Sequence, residues 1–387
     1  MGLVLRRASW AAVGALGMGM AMAAGQQGSA GPRSASAAET QQALALEQQG
    51  QWKDAETAWR RVIEENPRNA AACGQLGIVL AHEQDYPGAE AAYRQALRLD
   101  PGLRGLQLDL GLALFKQGKL EEAIAPLKAA SHAAPAEAQP RILLGMSYYG
   151  LAKFADAVPY LEVAVKKAPQ NEGLRGVLAQ ACLYAKQYEC VLEQYKVIVT
   201  ANPNSAQADM LAGEADDGLN RPLDAIAEFE AAEKAAPQQP DVHFGLGYLL
   251  WKQHKYAQAA KEFELEIEND SNQAQALAYL GDTEMKLEET AQAEAALERA
   301  VKLPDAVRLA WVDLGIVLAG EGRNDEAAAD FEHAIQMDPK QVDAHWRLAR
   351  LLLAEGKRPE AQAEFAKAAA LHAKQDESLV QQMTPGK

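Results

Sequence analysis

The sequence predicts an all-α fold, an α-solenoid of stacked antiparallel helix pairs. Three observations predict it. A unit of 34 residues recurs in one phase from Ser36 to Gln375. Within the unit, Leu-Gly pairs fall at Leu76-Gly77, Leu110-Gly111, Leu144-Gly145, Leu246-Gly247, Leu280-Gly281 and Leu314-Gly315. Alanines follow in step at Ala89, Ala123, Ala157, Ala259, Ala293 and Ala327. Most units close on proline, at Pro67, Pro101, Pro135, Pro169, Pro203, Pro237 and Pro339. A fixed period of roughly 20–50 residues means that one supersecondary unit is stacked many times.

Each element of the unit has a physical reason. The glycine on the first helix and the alanine on the second remove side-chain bulk at one crossing, so the two backbones can approach closely. A large apolar residue four positions after each alanine (Tyr93, Leu127, Leu161, Phe263, Leu297, Phe331) fills the space between pairs. Proline cannot continue the second helix and ends it. Gly111→Leu is therefore expected to overpack its crossing by roughly 1–3 kcal/mol. One unit cannot bury its own apolar face, so stability comes from its neighbours. Length alone would allow two or three globular domains; the unbroken phase argues for one continuous array.

The chain resembles the tetratricopeptide repeat family, most closely in the ninth unit, where Trp311, Leu314, Gly315, Ala327, Phe331 and Pro339 stand in the family pattern. The resemblance implies a right-handed superhelix and a role in holding other polypeptides. The units are placed at 36–69, 70–103, 104–137, 138–171, 172–205, 206–239, 240–273, 274–307, 308–341 and 342–375. In the first, Ser36 and Glu39 have capping-box spacing, and the glutamines of its first helix suit a solvent-facing end. The second to fourth are regular. The fifth has Ala179 for glycine and Val191 for alanine, so its crossing should be slightly wider. The sixth fits worst: Asp216 holds a usually apolar place beside Glu214 and Asp217, which reads as a weak joint, and these carboxylates lack the loop spacing of a calcium site. The seventh carries Glu266 where a small residue is usual. The eighth reaches its proline early, at Pro304. The tenth has no closing proline, and its last helix is expected to run on into a tail at 376–387, stopping before Pro385.

Arg6 and Arg7 precede an apolar stretch, Ala11 to Ala24, that ends in Ala21-Met22-Ala23. This pattern predicts a signal peptide over 1–23 and a Gly/Ser/Gln-rich flexible linker over 24–35. Export to the periplasm or the exterior is expected, with membrane association as a variant. Of three cysteines, Cys182 and Cys190 fall on the two helices of the fifth unit. They could meet in an oxidising compartment; their expected role is that of small buried apolar side chains.

Net charge is −15, with no basic patch, which disfavours nucleic acid and anionic membranes. The leader and the units leave no room in this sequence for a separate catalytic domain. No two of the seven histidines have the spacing that puts two ligands on one helix face, and no phosphate loop or nucleophile elbow occurs. The expectation is a non-enzyme with no cofactor, no catalytic residues and no metal site.

The resemblance further implies that the first helices line a concave wall. The positions it assigns there are Leu112, Phe115, Met146, Tyr149, Leu183, Tyr184, Phe244, Tyr248, Trp251, Met285, Ile316 and Trp346. They make an apolar, aromatic lining, interrupted by Glu214, Asp282, Lys116, Lys252 and Lys286. The paired basic and Asn side chains with which some family members grip a C-terminal carboxylate are not evident. An extended or helical protein segment with aliphatic anchors suits this lining, and so does packing between neighbouring helices. The expected function is an exported scaffold that holds a protein or peptide partner. The alternative is a structural subunit of an envelope assembly.

Overall fold

Short left-handed turns cut the chain into helices with the period of the sequence. In a computed structural model that describes residues 35–383, positive φ recurs at Gly50, Gln84, Gly118, Ala152, Lys186, Asn220, His254, Glu288, Gly322 and Gly356. Each ends the first helix of a pair with the crossed hydrogen bonds of a Schellman turn, as in Gln51 N to Leu46 O (2.9 Å) and Gly50 N to Glu47 O (2.9 Å).

The described residues form two compact bodies, divided after Pro203. The first holds α1 (Ala35–Gln48), α2 (Trp52–Glu65), α3 (Ala70–His82), α4 (Tyr86–Leu99), α5 (Leu106–Lys116), α6 (Leu120–Ala133), α7 (Gln139–Gly150), α8 (Phe154–Lys167), α9 (Glu172–Tyr184) and α10 (Tyr188–Ala201). The second holds α11 (Ala206–Gly218), α12 (Pro222–Ala235), α13 (Val242–Lys252), α14 (Tyr256–Asn269), α15 (Ala274–Lys286), α16 (Thr290–Val301), α17 (Arg308–Gly320), α18 (Asn324–Met337), α19 (Val342–Ala354) and α20 (Arg358–Met383). The expected signal peptide and nearly all of the linker lie outside the described residues, as do residues 384–387.

The division falls at the junction before α11, the helix that the sequence marks as the poorest fit. Asp216 on that helix is buried and has Arg221 Nη1 at 3.4 Å. In the first body, α1 begins at Ala35, so Ser36 sits inside the first turn and does not precede it.

Within each body every odd-numbered helix packs on the even one that follows, and successive pairs stack. Odd helices also touch the next odd helix, as α5 does α7 and α15 does α17, with no comparable contact between even ones. The odd helices therefore form the more closely spaced wall. The glycines do permit a close crossing, but what they make room for is the large apolar residue of their own pair rather than the alanine. A Cβ on Gly111 would lie 2.5 Å from Leu127 Cδ2, and one on Gly281 would lie 2.4 Å from Leu297 Cγ. Second helices such as α2 and α4 end two residues before their prolines, with Asn66 and Asp100 as non-helical caps between, because the residue before a proline is driven out of the helical region. Three first helices are capped by a short polar side chain: Asn69 Oδ1 accepts from Ala72 N at 3.0 Å, Asn171 Oδ1 accepts from Leu174 N at 2.9 Å, and Ser205 Oγ accepts from Ala208 N at 3.4 Å.

Cys182 and Cys190 depart from the expectation that they act as separate apolar side chains. They form a disulfide between α9 and α10. The antiparallel crossing brings their Cα atoms to 5.9 Å, within reach of a bond. Cys73 is free and buried.

In the second body two histidines each tie the two helices of their own pair to the loop that precedes it. His243 Nδ1 lies 2.8 Å from Glu262 Oε2 and its Nε2 lies 2.9 Å from the Pro237 carbonyl. His345 repeats the arrangement with Glu364 at 2.6 Å and Pro339 at 3.3 Å. Glu233 also comes within 4.8 Å of the His243 and Glu262 donor atoms. Three potential metal donors thus converge, but both ring nitrogens already have partners, and the same clasp at His345 works through two side chains.

Candidate functional site on the odd-helix wall

The sequence assigns twelve residues to the wall, and the structure divides them. Met146, Leu183 and Phe244 are buried among the helices. They are core, because an odd helix turns these positions toward its neighbouring pair rather than outward. Leu112, Phe115, Tyr149, Tyr184, Tyr248, Trp251, Met285 and Ile316 are half-buried, and Trp346 is 43% exposed.

In the first body the lining gathers at the C-terminal ends of the odd helices. Tyr149 on α7 donates its hydroxyl to Gln180 Oε1 on α9. Phe154, from the start of α8, meets Tyr149 edge-on at 5.4 Å and Tyr184 at 4.6 Å. Burial, with Tyr184 nearby, pushes the Tyr149 hydroxyl up to about 12. Phe154 lies on a second helix, so a search confined to first helices passes over it.

The second body has the denser arrangement. Tyr248 and Trp251 lie nearly parallel, one turn apart on α13, with centroids 6.1 Å apart. Tyr279 on α15 stands almost perpendicular to both, at 5.5 Å and 5.4 Å. Trp251 Nε1 donates to Asp282 Oδ2 at 2.6 Å, which fixes the indole. Lys252 sits over the Tyr248 ring at 5.6 Å and pairs with Asp217. Further along, Arg350 covers the Trp346 ring at 4.7 Å.

Asp282 and Asp313 are near enough to act on the Tyr279 hydroxyl, and Asp217 on that of Tyr248. Asp313, on α17, is 5% exposed, and its Oδ2 has no hydrogen-bond partner. Burial pushes its carboxyl up to about 7; Asp282 and Asp343 add to the rise, while Arg347 and Lys286 oppose it. Glu214, on α11, has an unpartnered buried Oε1 and is pushed up to about 8 by burial, with Asp241 and Asp217 adding. Tyr279 and Asp313 were missed in sequence because the wall positions chosen there lie three before, one after and four or five after each glycine. Both residues stand two before a glycine, Gly281 and Gly315, roughly 20° round the helix beyond the outermost of those choices.

The sequence profile of the tetratricopeptide repeat matches residues 40–104, 210–274 and 279–341, and a second profile of the same repeat matches 80–146 and 318–383. The chain belongs to the tetratricopeptide repeat family. No curated protein matches it. Similar solved structures include MamA residues 41-end from Desulfovibrio magneticus RS-1, 24% identical over 43% of this chain and 95% of that one, with TM-score 0.39. YrrB, a TPR protein with an unusual peptide-binding site, is 22% identical over 49% of this chain and 98% of its own (TM-score 0.40). The APC/C hetero-tetramer Cut9-Hcn1 is 15% identical over 87% and 74% of the two chains (TM-score 0.44).

The unpartnered carboxylates of this repeat wall have a consequence for stability. In the unfolded chain Asp and Glu titrate near about 3.9 and 4.3. In the folded protein Asp313 and Glu214 titrate at about 7 and about 8. The folded state therefore holds protons that the unfolded state has released. Their contribution is fully present at low pH and is lost as pH rises to about 8. Urea denaturation should show Asp313→Asn more stable than wild type at pH 8 by about 1–3 kcal/mol, with the gap closing toward pH 5. A gap that is absent, or that widens on acidification, contradicts this account.

Proposed function

We propose that this tetratricopeptide repeat protein is a protein-binding scaffold whose odd-helix wall holds an extended or helical segment of a partner. The observation that carries this reading is the half-buried line of Tyr248, Trp251, Met285 and Ile316 on successive odd helices. Each packs against the hydrophobic core of the body yet remains partly exposed, which is how aromatic and methionine anchors serve at interfaces. Tyr149 and Tyr184 offer the same in the first body. Repeat helices with their small residues spent on packing suit a holding role rather than a catalytic one.

We also propose that the protein works outside the reducing cytoplasm. The charged, apolar and small-residue order of positions 1–23 supports export, and so does the Cys182–Cys190 bond, since structural disulfides persist in oxidising compartments.

Photo-crosslinking from position 251 in cells, together with pull-downs of wild type and Tyr149→Ala/Trp251→Ala, tests the scaffold. The double variant should recover less than about a tenth of the crosslinked partner while keeping its helical circular dichroism, a loss of at least 1.4 kcal/mol. Undiminished recovery would falsify the wall as the binding surface. Thiol trapping of the cellular protein should find Cys182 and Cys190 oxidised and Cys73 reduced; reduced Cys182 and Cys190 would remove one support for export.

A further inference from the structure

The clasp at His243 holds one side chain more than its twin at His345. Ten positions before His345 stands Ile335, packed in a small apolar cluster with Val312, Ala334 and Ala344. Ten positions before His243 stands Glu233, on α12, whose carboxylate comes within 4.8 Å of the His243 and Glu262 donor atoms. Among the described residues Glu233 has no hydrogen-bond or ion-pair partner. The groups around the ring fix its hydrogens. Nε2 lies 2.9 Å from the Pro237 carbonyl, which can only accept, so Nε2 carries a hydrogen and donates it. In the neutral ring Nδ1 then turns a lone pair toward Glu262 Oε2, 2.8 Å away. Two lone pairs at that distance repel unless a positive centre lies between them. At His345 one carboxylate meets one ring, and a single proton is enough. At His243 two carboxylates converge, and a single proton leaves one of their charges unanswered.

We propose that Glu233, His243 and Glu262 form a binding site for a divalent transition-metal ion of the zinc class. His243 Nδ1 and one oxygen from each carboxylate supply three ligands, and a neutral ring with two carboxylates balances a charge of two. The ion takes the place of the proton between Nδ1 and Glu262, which leaves to solvent. A ring whose other N–H is held by a backbone carbonyl is oriented as metal-binding histidines are. The imidazole nitrogen selects against calcium and magnesium, which take oxygen ligands in larger number. Three protein ligands leave a further position for water. The ion enters past Glu233, which is half-buried, whereas His243 and Glu262 are buried. Once bound, it ties α12 of the sixth pair to α13 and α14 of the seventh, and so steadies the helix that carries Tyr248 and Trp251. The three ligands come from three helices, so a search for two histidines on one helix face passes over them.

The test uses the full chain, stripped of metal with a chelator and titrated calorimetrically with Zn²⁺, Ca²⁺ or Mg²⁺. Zn²⁺ should bind with a Kd of about 1 μM or tighter, and the other two at least about a hundredfold more weakly. Glu233→Ile copies the His345 clasp and leaves both hydrogen bonds of His243 in place. It should therefore keep its helical circular dichroism and lose at least about tenfold in Zn²⁺ affinity. Glu332→Gln, which removes a negative charge at an exposed position, should bind Zn²⁺ as wild type does and so separates the site from general attraction to an acidic protein. Hydrogen exchange should slow in α12–α14 when Zn²⁺ is added and stay unchanged in α17–α19. Zn²⁺ affinity that is equal in wild type and Glu233→Ile, or that falls equally in Glu332→Gln, overturns the proposal. So does exchange that slows outside α12–α14 alone, or a Zn²⁺ Kd weaker than about 100 μM. Calcium bound as tightly as zinc overturns the choice of metal.

Discussion

Phe229→Ala is expected to be the most damaging single substitution in the second body, at about 3–5 kcal/mol. Phe229 is 1% exposed and sits between two glycines on neighbouring odd helices. A Cβ on Gly213 would lie 2.6 Å from its Cδ2, and one on Gly245 would lie 2.1 Å from its Cε1. The ring therefore packs its own pair and the next pair at once. Removing it opens a cavity at the joint through which α11, α12 and α13 support one another. The converse follows: Gly245→Ala should cost roughly 1–3 kcal/mol by overpacking against the ring. Gly176→Ala on α9, where nothing lies within 4 Å of the new Cβ, should instead gain about 0.5–1 kcal/mol from helix propensity. Because the Gly245 penalty comes from the ring, it should vanish in a Phe229→Ala background. Repeat arrays need not unfold in one step, so hydrogen exchange in α11–α13 is the suitable measurement. Equal effects of Gly245→Ala and Gly176→Ala would contradict this packing account.

Glu266→Ala should cost roughly 2–5 kcal/mol by leaving backbone donors buried without acceptors. Its carboxylate is 1% exposed. Oε1 accepts from Asp241 N at 3.0 Å and Gln273 Nε2 at 3.1 Å, and Oε2 accepts from Phe244 N at 3.0 Å. Asp241 has a left-handed φ of 67° and makes no side-chain cap of its own for α13. Glu266 does that work from α14, answering both the orphan N–H groups and the positive end of the helix dipole. Glu266→Gln keeps one carbonyl acceptor and should cost about half as much. The signature is local: the Phe244 amide should exchange faster in Glu266→Ala, while amides in α17 keep their protection. Unchanged exchange at Phe244 would show that the cap lies elsewhere.

Glu266 also shows where sequence reading stops. In the repeat pattern it is an anomaly, a charge in place of a small residue. Its reason is three-dimensional: the chain before α13 kinks at Asp241 and leaves donors that only a side chain from the next helix can reach. Cys182 and Cys190 were legible as two cysteines on facing helices, but whether they meet depends on the crossing. Met146, Leu183 and Phe244 are buried because of a helix rotation of a few tens of degrees, finer than a pattern of positions resolves, and Tyr279 and Asp313 are buried beside the wall for the same reason.

The 34-residue phase, the glycine–alanine crossings and the closing prolines were enough, in sequence alone, to determine paired helices stacked in one order. Those features act locally or between adjacent helices, where period and side-chain size dictate contact. The left-handed turn between paired helices could not be read off, since only Gly50, Gly118, Gly322 and Gly356 of its ten residues are glycine. Nor could the burial of Asp313 or the convergence of Tyr248, Trp251 and Tyr279. Those depend on how far each pair rotates against the next, which the packing of all their side chains sets together.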